Sequence, residues 1–329
     1  FTRLTDSGLG CPDWPGCYGS ASPVGAVSHI AAAQAAMPTG PVTHLKAWVE
    51  MAHRYMATGV GALIAVLALS SWLAARRRRP AVSPWWATLT LAWVCMQGAF
   101  GALTVTMRLY PAIVSLHLLG GLGLLALLAA QSQAFERRPL PLPARLHAGI
   151  VAVAAFSLLQ IALGAWVSTN YAVLACTDFP TCQGSWWPPM DFESGFRGWR
   201  ALGAGDDGAN LPFAALTAIH YVHRLGAYVV LAALLLLAWR LHATGRADLR
   251  PWARVLAGIA LWQLASGLGN VLLGWPLYAA VAHTAGAAAL VLTLTVLLTR
   301  VQQARHDSSV LVPQPLSASA DLQNERFAS

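Results

Sequence analysis

Charge is what this sequence lacks. Asp, Glu, Lys and Arg make up 10% of its 329 residues, against about 25% in a typical soluble domain. Twenty-one basic and 13 acidic residues cannot form the charged shell that a soluble protein of this size needs, which excludes an ordinary soluble domain. The same shortage excludes a largely disordered chain and a coiled coil. Lysine is almost missing, with Lys46 the sole example. An initiator Met is also missing, and the chain opens Phe1-Thr2-Arg3-Leu4 without a signal peptide. Hydrophobic residues supply 57% of the chain. A bilayer is the setting this composition implies, and the net charge of +8 is read as topology information, with no nucleic-acid partner expected.

Seven apolar stretches, approximately 48–74, 85–106, 112–134, 146–168, 214–239, 253–273 and 277–299, each meet the roughly 20 residues that a helix needs to cross the hydrocarbon core. The loops after the first, third and fifth stretches and the tail hold Arg76–Arg79, Arg137, Arg138, Arg145, Arg240, Arg246, Arg250, Arg254, Arg300, Arg305 and Arg326. The opposite side holds Arg3, Lys46, Arg108, Arg197 and Arg200. The positive-inside rule puts the arginine-rich side and the C-terminus in the cytoplasm. Residues 1–47 and 169–213 are then external, and the polar tail 301–329 is expected to be disordered. The Arg-over-Lys bias points to a bacterial gene and so to the cytoplasmic (inner) membrane.

The chain repeats itself at a spacing of about 165–170 residues. Cys11-Pro-Asp-Trp-Pro-Gly-Cys17 matches Cys176-Thr-Asp-Phe-Pro-Thr-Cys182, His53-Arg54 matches His223-Arg224, and His117 matches His283. Gln97-Gly98 pairs more loosely with Gln263, against a Gly six residues further on that Leu103 breaks in the first half. The second half has four spans and the first has three, so the repeat predicts a further helix before Phe1. The expected architecture is all-α: two pseudo-symmetric four-helix bundles, residues 1–140 and 141–300, with eight helices in the intact protein and seven in this chain.

Four of the ten histidines fall inside spans at matched places, all near the outer level. Intramembrane ionisable groups are expensive and mark functional sites. Neutral imidazole is an axial ligand for haem iron, so His53 is expected to face His117, and His223 to face His283. Gly120, Gly121, Gly123 and Gly286 either make room for a flat macrocycle or permit close helix packing. Glu50, three residues before His53, is the only acid in a span; His220 stands at the matched place. Glu50 is either an acid/base group beside a haem or a helix-end carboxylate paired with Arg54. Arg54 and Arg224 are candidates for haem propionates or for snorkelling to headgroups. His29, His44, His147, His242 and His306 are read as solvated. External Cys11/Cys17 and Cys176/Cys182 suit disulfides, structural or redox-active, and their spacing disfavours zinc. Cys95, alone in a span, reads as packing.

Together, Arg3-Leu4-Thr5-x-Ser7-Gly8-Leu9-x-Cys11-Pro12-Asp13-Trp14-Pro15-x-Cys17, Glu50-x-x-His53-Arg54, His117, the Cys176–Cys182 loop, His223-Arg224 and His283 resemble haem A synthase of the cytochrome oxidase assembly pathway. The resemblance covers the chain to about residue 300. It implies oxidation of the C8 methyl of haem O to a formyl group, by successive hydroxylations and dehydration of the gem-diol. It implies a haem b cofactor on His223 and His283, substrate haem O on His53 and His117, and Glu50 as the essential acid. Haem O synthase is the implied partner, beside an unidentified electron donor and, as a further expectation, a second copy of the chain. Against it stand a bis-His dihaem electron-transfer cytochrome without substrate chemistry, disfavoured by the single Glu50, and a transporter, disfavoured by polar groups near the outer face.

Overall fold

A computed structural model describes residues 1–77, 82–205 and 209–310. The described residues form nine α-helices and two 3-10 turns, with three isolated β-bridges as the extended pairing. Helix α1 (Val27–Ala36) and α6 (Phe192–Gly195) are short. The long ones are α2 (His44–Arg76), α3 (Pro84–Thr106), α4 (Pro111–Phe135), α5 (Ala144–Thr169), α7 (Phe213–Ala243), α8 (Arg250–Leu272) and α9 (Leu277–Val310). All seven are long and apolar enough to cross a membrane, since 23 residues at about 1.5 Å each already exceed the hydrocarbon thickness. This is an all-α, multi-pass membrane protein.

Local chemistry sets the helix starts. Prolines occupy the first turn of α3, α4 and α8, where the missing N–H would have had no partner. The Thr43 side chain accepts from Lys46 N at the start of α2, and Asp191 caps α6. Large apolar side chains such as Leu63, Val66, Leu158, Leu235 and Leu261 are left exposed along the long helices, as lipid-facing residues are.

The second half closes on itself. Helix α5 packs on α7, α7 on α8, α8 on α9 and α9 back on α5. Leu234, Leu241, Leu256 and Leu297 form its dry centre, each no more than 1% exposed. In the first half α3 packs on both α2 and α4. Helix α4 joins the halves through α5 and α9, and Ser115 hydrogen-bonds Thr169 across that seam at 3.0 Å. The segment before α1 also reaches across. Arg3 donates to the Ser168 carbonyl and lies 3.6 Å over the Tyr171 ring, while the Tyr171 hydroxyl donates to Asp6 at 2.7 Å.

The tail differs from expectation at 301–310. Helix α9 runs on to Val310 because its last turns are held by neighbours. Arg300 Nε donates to Gln133 Oε1 at 2.9 Å, Gln303 to the Gln133 carbonyl at 2.8 Å, and Leu140 N to the Arg300 carbonyl at 3.0 Å. Val301 is fully buried. Residues 311–329 and Arg78, Arg79 and Pro80 lie outside the described residues.

Candidate functional site

The two cysteine loops have the same build. Cys11–Cys17 and Cys176–Cys182 are disulfides with Cα atoms 4.9 and 4.8 Å apart. Each loop carries a cis proline, Trp14–Pro15 and Phe179–Pro180. Asp13 accepts from the N–H groups of Tyr18 and Gly19 at 2.6 and 2.7 Å, and Asp178 from those of Gln183 and Gly184 at 2.7 and 3.0 Å. Those aspartates close turns in which Tyr18, Gly19, Gln183 and Gly184 all have positive φ. The Thr181 hydroxyl and these amides hold the Asp178 carboxyl below the usual carboxylate range.

Arg54 and Arg224 grip these loops from the helices below. Arg54 Nη1 donates to the carbonyls of Asp13, Pro15 and Gly16 at 2.9, 3.1 and 2.5 Å. Arg224 Nη1 donates to the Thr181 carbonyl, the counterpart of Gly16, at 2.6 Å. Neither propionate pairing nor snorkelling anticipates this role. The two arginines then diverge. Arg54 spends its second nitrogen on Glu50, at 2.5 Å. Arg224 Nη2 is buried with no hydrogen-bond partner among the described residues.

Glu50 is 3% exposed. One carboxylate oxygen takes Arg54 and the other accepts the Cys11 N–H at 2.8 Å. The acid is thus a buried, paired group wired to the first disulfide loop, which answers the helix-end alternative: the Arg54 pair exists, but away from water. At the matched place His220 is 5% exposed and its Nδ1 has no partner among the described residues.

His223 and His283 come together on one cavity of about 470 Å³. Its walls are contributed by α5, α7, α8 and α9, by Gly121 of α4 and by Arg3 and Leu4. His220 and Arg224 line it too. Ser266 Oγ donates to the Trp262 carbonyl at 2.7 Å and lies 3.0 Å from His283 Nδ1. A partner on Nδ1 fixes the ring and suits Nε2 to a metal. The donor set fits a flat, largely apolar iron macrocycle: two imidazoles from two helices, apolar walls, and one guanidinium nitrogen of Arg224 without a hydrogen-bond partner among the described residues, suited to an acidic group. Among the described residues no cluster of three His, Cys, Asp or Glu is placed to hold a bare metal ion.

The first pair is arranged differently. His53 is exposed on α2, while His117 is half-buried against Gly101. The glycines sort by contact. Gly120 faces the Gln97 amide, Gly123 the Trp93 ring at 3.1 Å and Gly286 the Trp262 ring at 2.7 Å, so these permit packing. Gly121 has open space and lines the cavity. Of the weaker histidines, His29 stacks on Tyr18 with centroids 5.4 Å apart, His44 opens α2, and His147 meets Arg305 at 2.9 Å. Cys95 is exposed on α3 rather than packed. Ser266 and Gln160, which touch His283 and His223, were not singled out from sequence, because only their spacing from Gly267 and Gly164 marks them.

The model of the family COX15-CtaA, cytochrome oxidase assembly protein, matches residues 1–295. A protein of Shewanella oneidensis named Heme A synthase is 38% identical over 300 residues, covering 89% of this chain and 88% of that protein. Proteins of the same name from Sphingopyxis alaskensis and Halalkalibacterium halodurans are 30% and 28% identical, covering 92% and 85% of this chain and 86% and 83% of their own lengths.

Proposed function

The chain belongs to the COX15-CtaA family of cytochrome oxidase assembly proteins, and on that premise we propose that it is an oxidoreductase converting haem O to haem A. The name shared by its relatives supports this reading over an electron carrier without substrate chemistry. The observation that carries it is the asymmetry of the repeat. One half offers a paired, buried carboxylate, Glu50, beside His53; the other offers His220 and a free guanidinium nitrogen beside His223.

The division of labour follows. The cofactor haem b would be held by His223 and His283, and Arg224 and His220, which line the same cavity, would be available to its acidic groups. When bound, that haem supplies one-electron redox chemistry. The substrate haem O belongs on His53 and His117, reached from the lipid. Glu50 there can hold a proton or stabilise developing positive charge, because Arg54 and the Cys11 N–H fix its position in a site with little water. Arg54, with Nη1 on three carbonyls and Nη2 on Glu50, positions the acid and the loop, leaving Arg224 the better propionate partner. Disulfides Cys11–Cys17 and Cys176–Cys182 hold the two caps.

The arginine-rich ends set the C-terminal side as cytoplasmic and 1–47 and 169–213 as external, in a bacterial inner membrane. Haem O synthase is the partner that the substrate requires. The test is co-expression with a haem O source, followed by pigment extraction and mass analysis. Haem A alongside haem b is expected, and haem b alone would sink the assignment.

A further inference from the structure

The histidines of the cavity share a contact that recurs at a third histidine. On the preceding long helix lies a Gln followed four residues later by a Gly: Gln97 and Gly101 on α3, Gln160 and Gly164 on α5, Gln263 and Gly267 on α8. On the histidine's own helix a Gly follows three residues on: His117 and Gly120, His223 and Gly226, His283 and Gly286.

The two signatures interlock. A methyl group on Gly164 would come within 2.9 Å of His223 Cε1, one on Gly267 within 3.4 Å of His283 Cε1, and one on Gly101 within 3.5 Å of His117 Cε1. In return each Gln amide seats on the other helix's Gly. A methyl on Gly120 or Gly226 would overlap the amide of Gln97 or Gln160, and one on Gly286 would lie 3.0 Å from Gln263 Nε2. Gln160 Nε2 also donates to the His223 carbonyl at 2.8 Å and sits 3.0 Å from His223 Nδ1, while Gln263 Nε2 donates to the His283 carbonyl at 3.2 Å.

Helix geometry explains the spacing. Side chains tilt toward the helix N-terminus, so a Cβ at i+4 shields the carbonyl of residue i. Glycine there leaves the backbone bare, and the rings of His117, His223 and His283 each lie against that glycine. Close helix packing alone would need small residues, but not a Gln amide in one register at three places.

His53 departs from the pattern. Three residues after it stands Met56, 65% exposed, in place of the glycine found after the other three. We propose that the reciprocal Gln–Gly and His–Gly contact locks His117, His223 and His283 as fixed ligands, and that His53 is the one ligand built to let go. The inference rests on the haem reading above. A resident cofactor needs two fixed ligands, whereas a substrate that enters and leaves needs one that releases. Gln160 and Gln263 are positioning residues in this scheme.

The test uses the purified full chain with its haems, reading the low-spin ferric EPR signal, the midpoint potential and the rate of haem transfer to apomyoglobin. Gln160→Leu, Gln263→Leu and the milder Gly267→Ala should keep haem b bound, shift its EPR g-values and potential, and speed its release. Gly226→Ala should shift the signal alone, yet add nothing on top of Gln160→Ala, because the shortened side chain leaves no amide to overlap; coupling of this kind marks a direct contact. In the unaltered protein the haem of the first half should leave first. Unchanged g-values and potential with haem bound, additive shifts in the double variant, or first release from the second half would each overturn the lock. A b-type spectrum that survives His223→Ala overturns the ligand assignment instead, and the lock with it.

Discussion

At the scale of single residues, position matters more than identity. Glu50→Gln keeps an acceptor for the Cys11 N–H but removes the charge facing Arg54. We expect haem to stay bound and haem A to disappear from extracts; product at the unaltered level would refute the role. Arg54→Ala strips Glu50 of its counter-charge and frees three loop carbonyls. Breaking such a buried pair removes about 3 kcal/mol, which a thermal melt should register as a clear drop, larger than for Arg224→Ala with its single loop bond. Asp6 gives a pH signature. Burial works against its ionisation, but hydrogen bonds from Tyr171 and Lys46 and the Lys46 charge leave its carboxyl below the ordinary range. Its contribution is therefore present above the unfolded value of about 3.9 and lost as pH falls through the lower folded one. Burial and the Asp6 bond push Tyr171 up to about 12, so the link holds through neutral pH. Acid melts should show a steeper loss below about pH 4 for the unaltered chain than for Asp6→Asn; parallel curves would remove Asp6 from the account. Sequence made Glu50 and the cysteines legible, because an acid in an apolar run and paired Cys between Pro and Asp are local signals. The grip of Arg54 and Arg224 was not, since it is made to main-chain carbonyls some 40 residues away.

At the scale of elements, the seven long helices were legible because their apolar runs admit no other reading, and their ends were not. Helix α2 starts at His44 and α7 continues to Ala243, a few residues beyond the apolar stretches, since caps and exposed turns carry a helix into the polar zone. Helix α9 shows the larger gap. Composition read 301–310 as tail, whereas tertiary hydrogen bonds to Gln133 and Leu140 make it helix. Gln133→Ala removes the acceptor of Arg300 and should lower the melting temperature by a few degrees, from roughly 1–2 kcal/mol for a charged hydrogen bond. An unchanged melt would mean that the helix end holds by other contacts. The repeat around Gln97 was legible in outline and wrong in register. Counting six residues to a Gly met Leu103, while the contact counts four, to Gly101, which only the neighbouring histidine reveals.

At the scale of the molecule, the contacts sort into two ends. Arg3, Tyr171 and Asp6 join one set of loops, and Tyr110 meets Trp199 beside them with ring centroids 4.7 Å apart. Arg246 donates to the Pro141 carbonyl and Arg137 pairs with Asp307 at the other, both at 2.7 Å. A C-terminal reporter should therefore be active only if it needs the cytoplasm, and one inserted near residue 205 only if it needs the outside; the reverse pattern would invert the topology. The arginine counts propose which side is cytoplasmic, and the reporters test it; the seam between halves was not legible, being built of Ser115, Thr169 and Arg3. The cysteine arrangement also equips the molecule for measurement. Four thiols are consumed in disulfides, so the exposed Cys95 is the one free thiol, midway along α3. Spin labels or fluorophores with apolar linkers can be attached there without removing any other cysteine, giving a ruler that starts midway along a membrane-spanning helix.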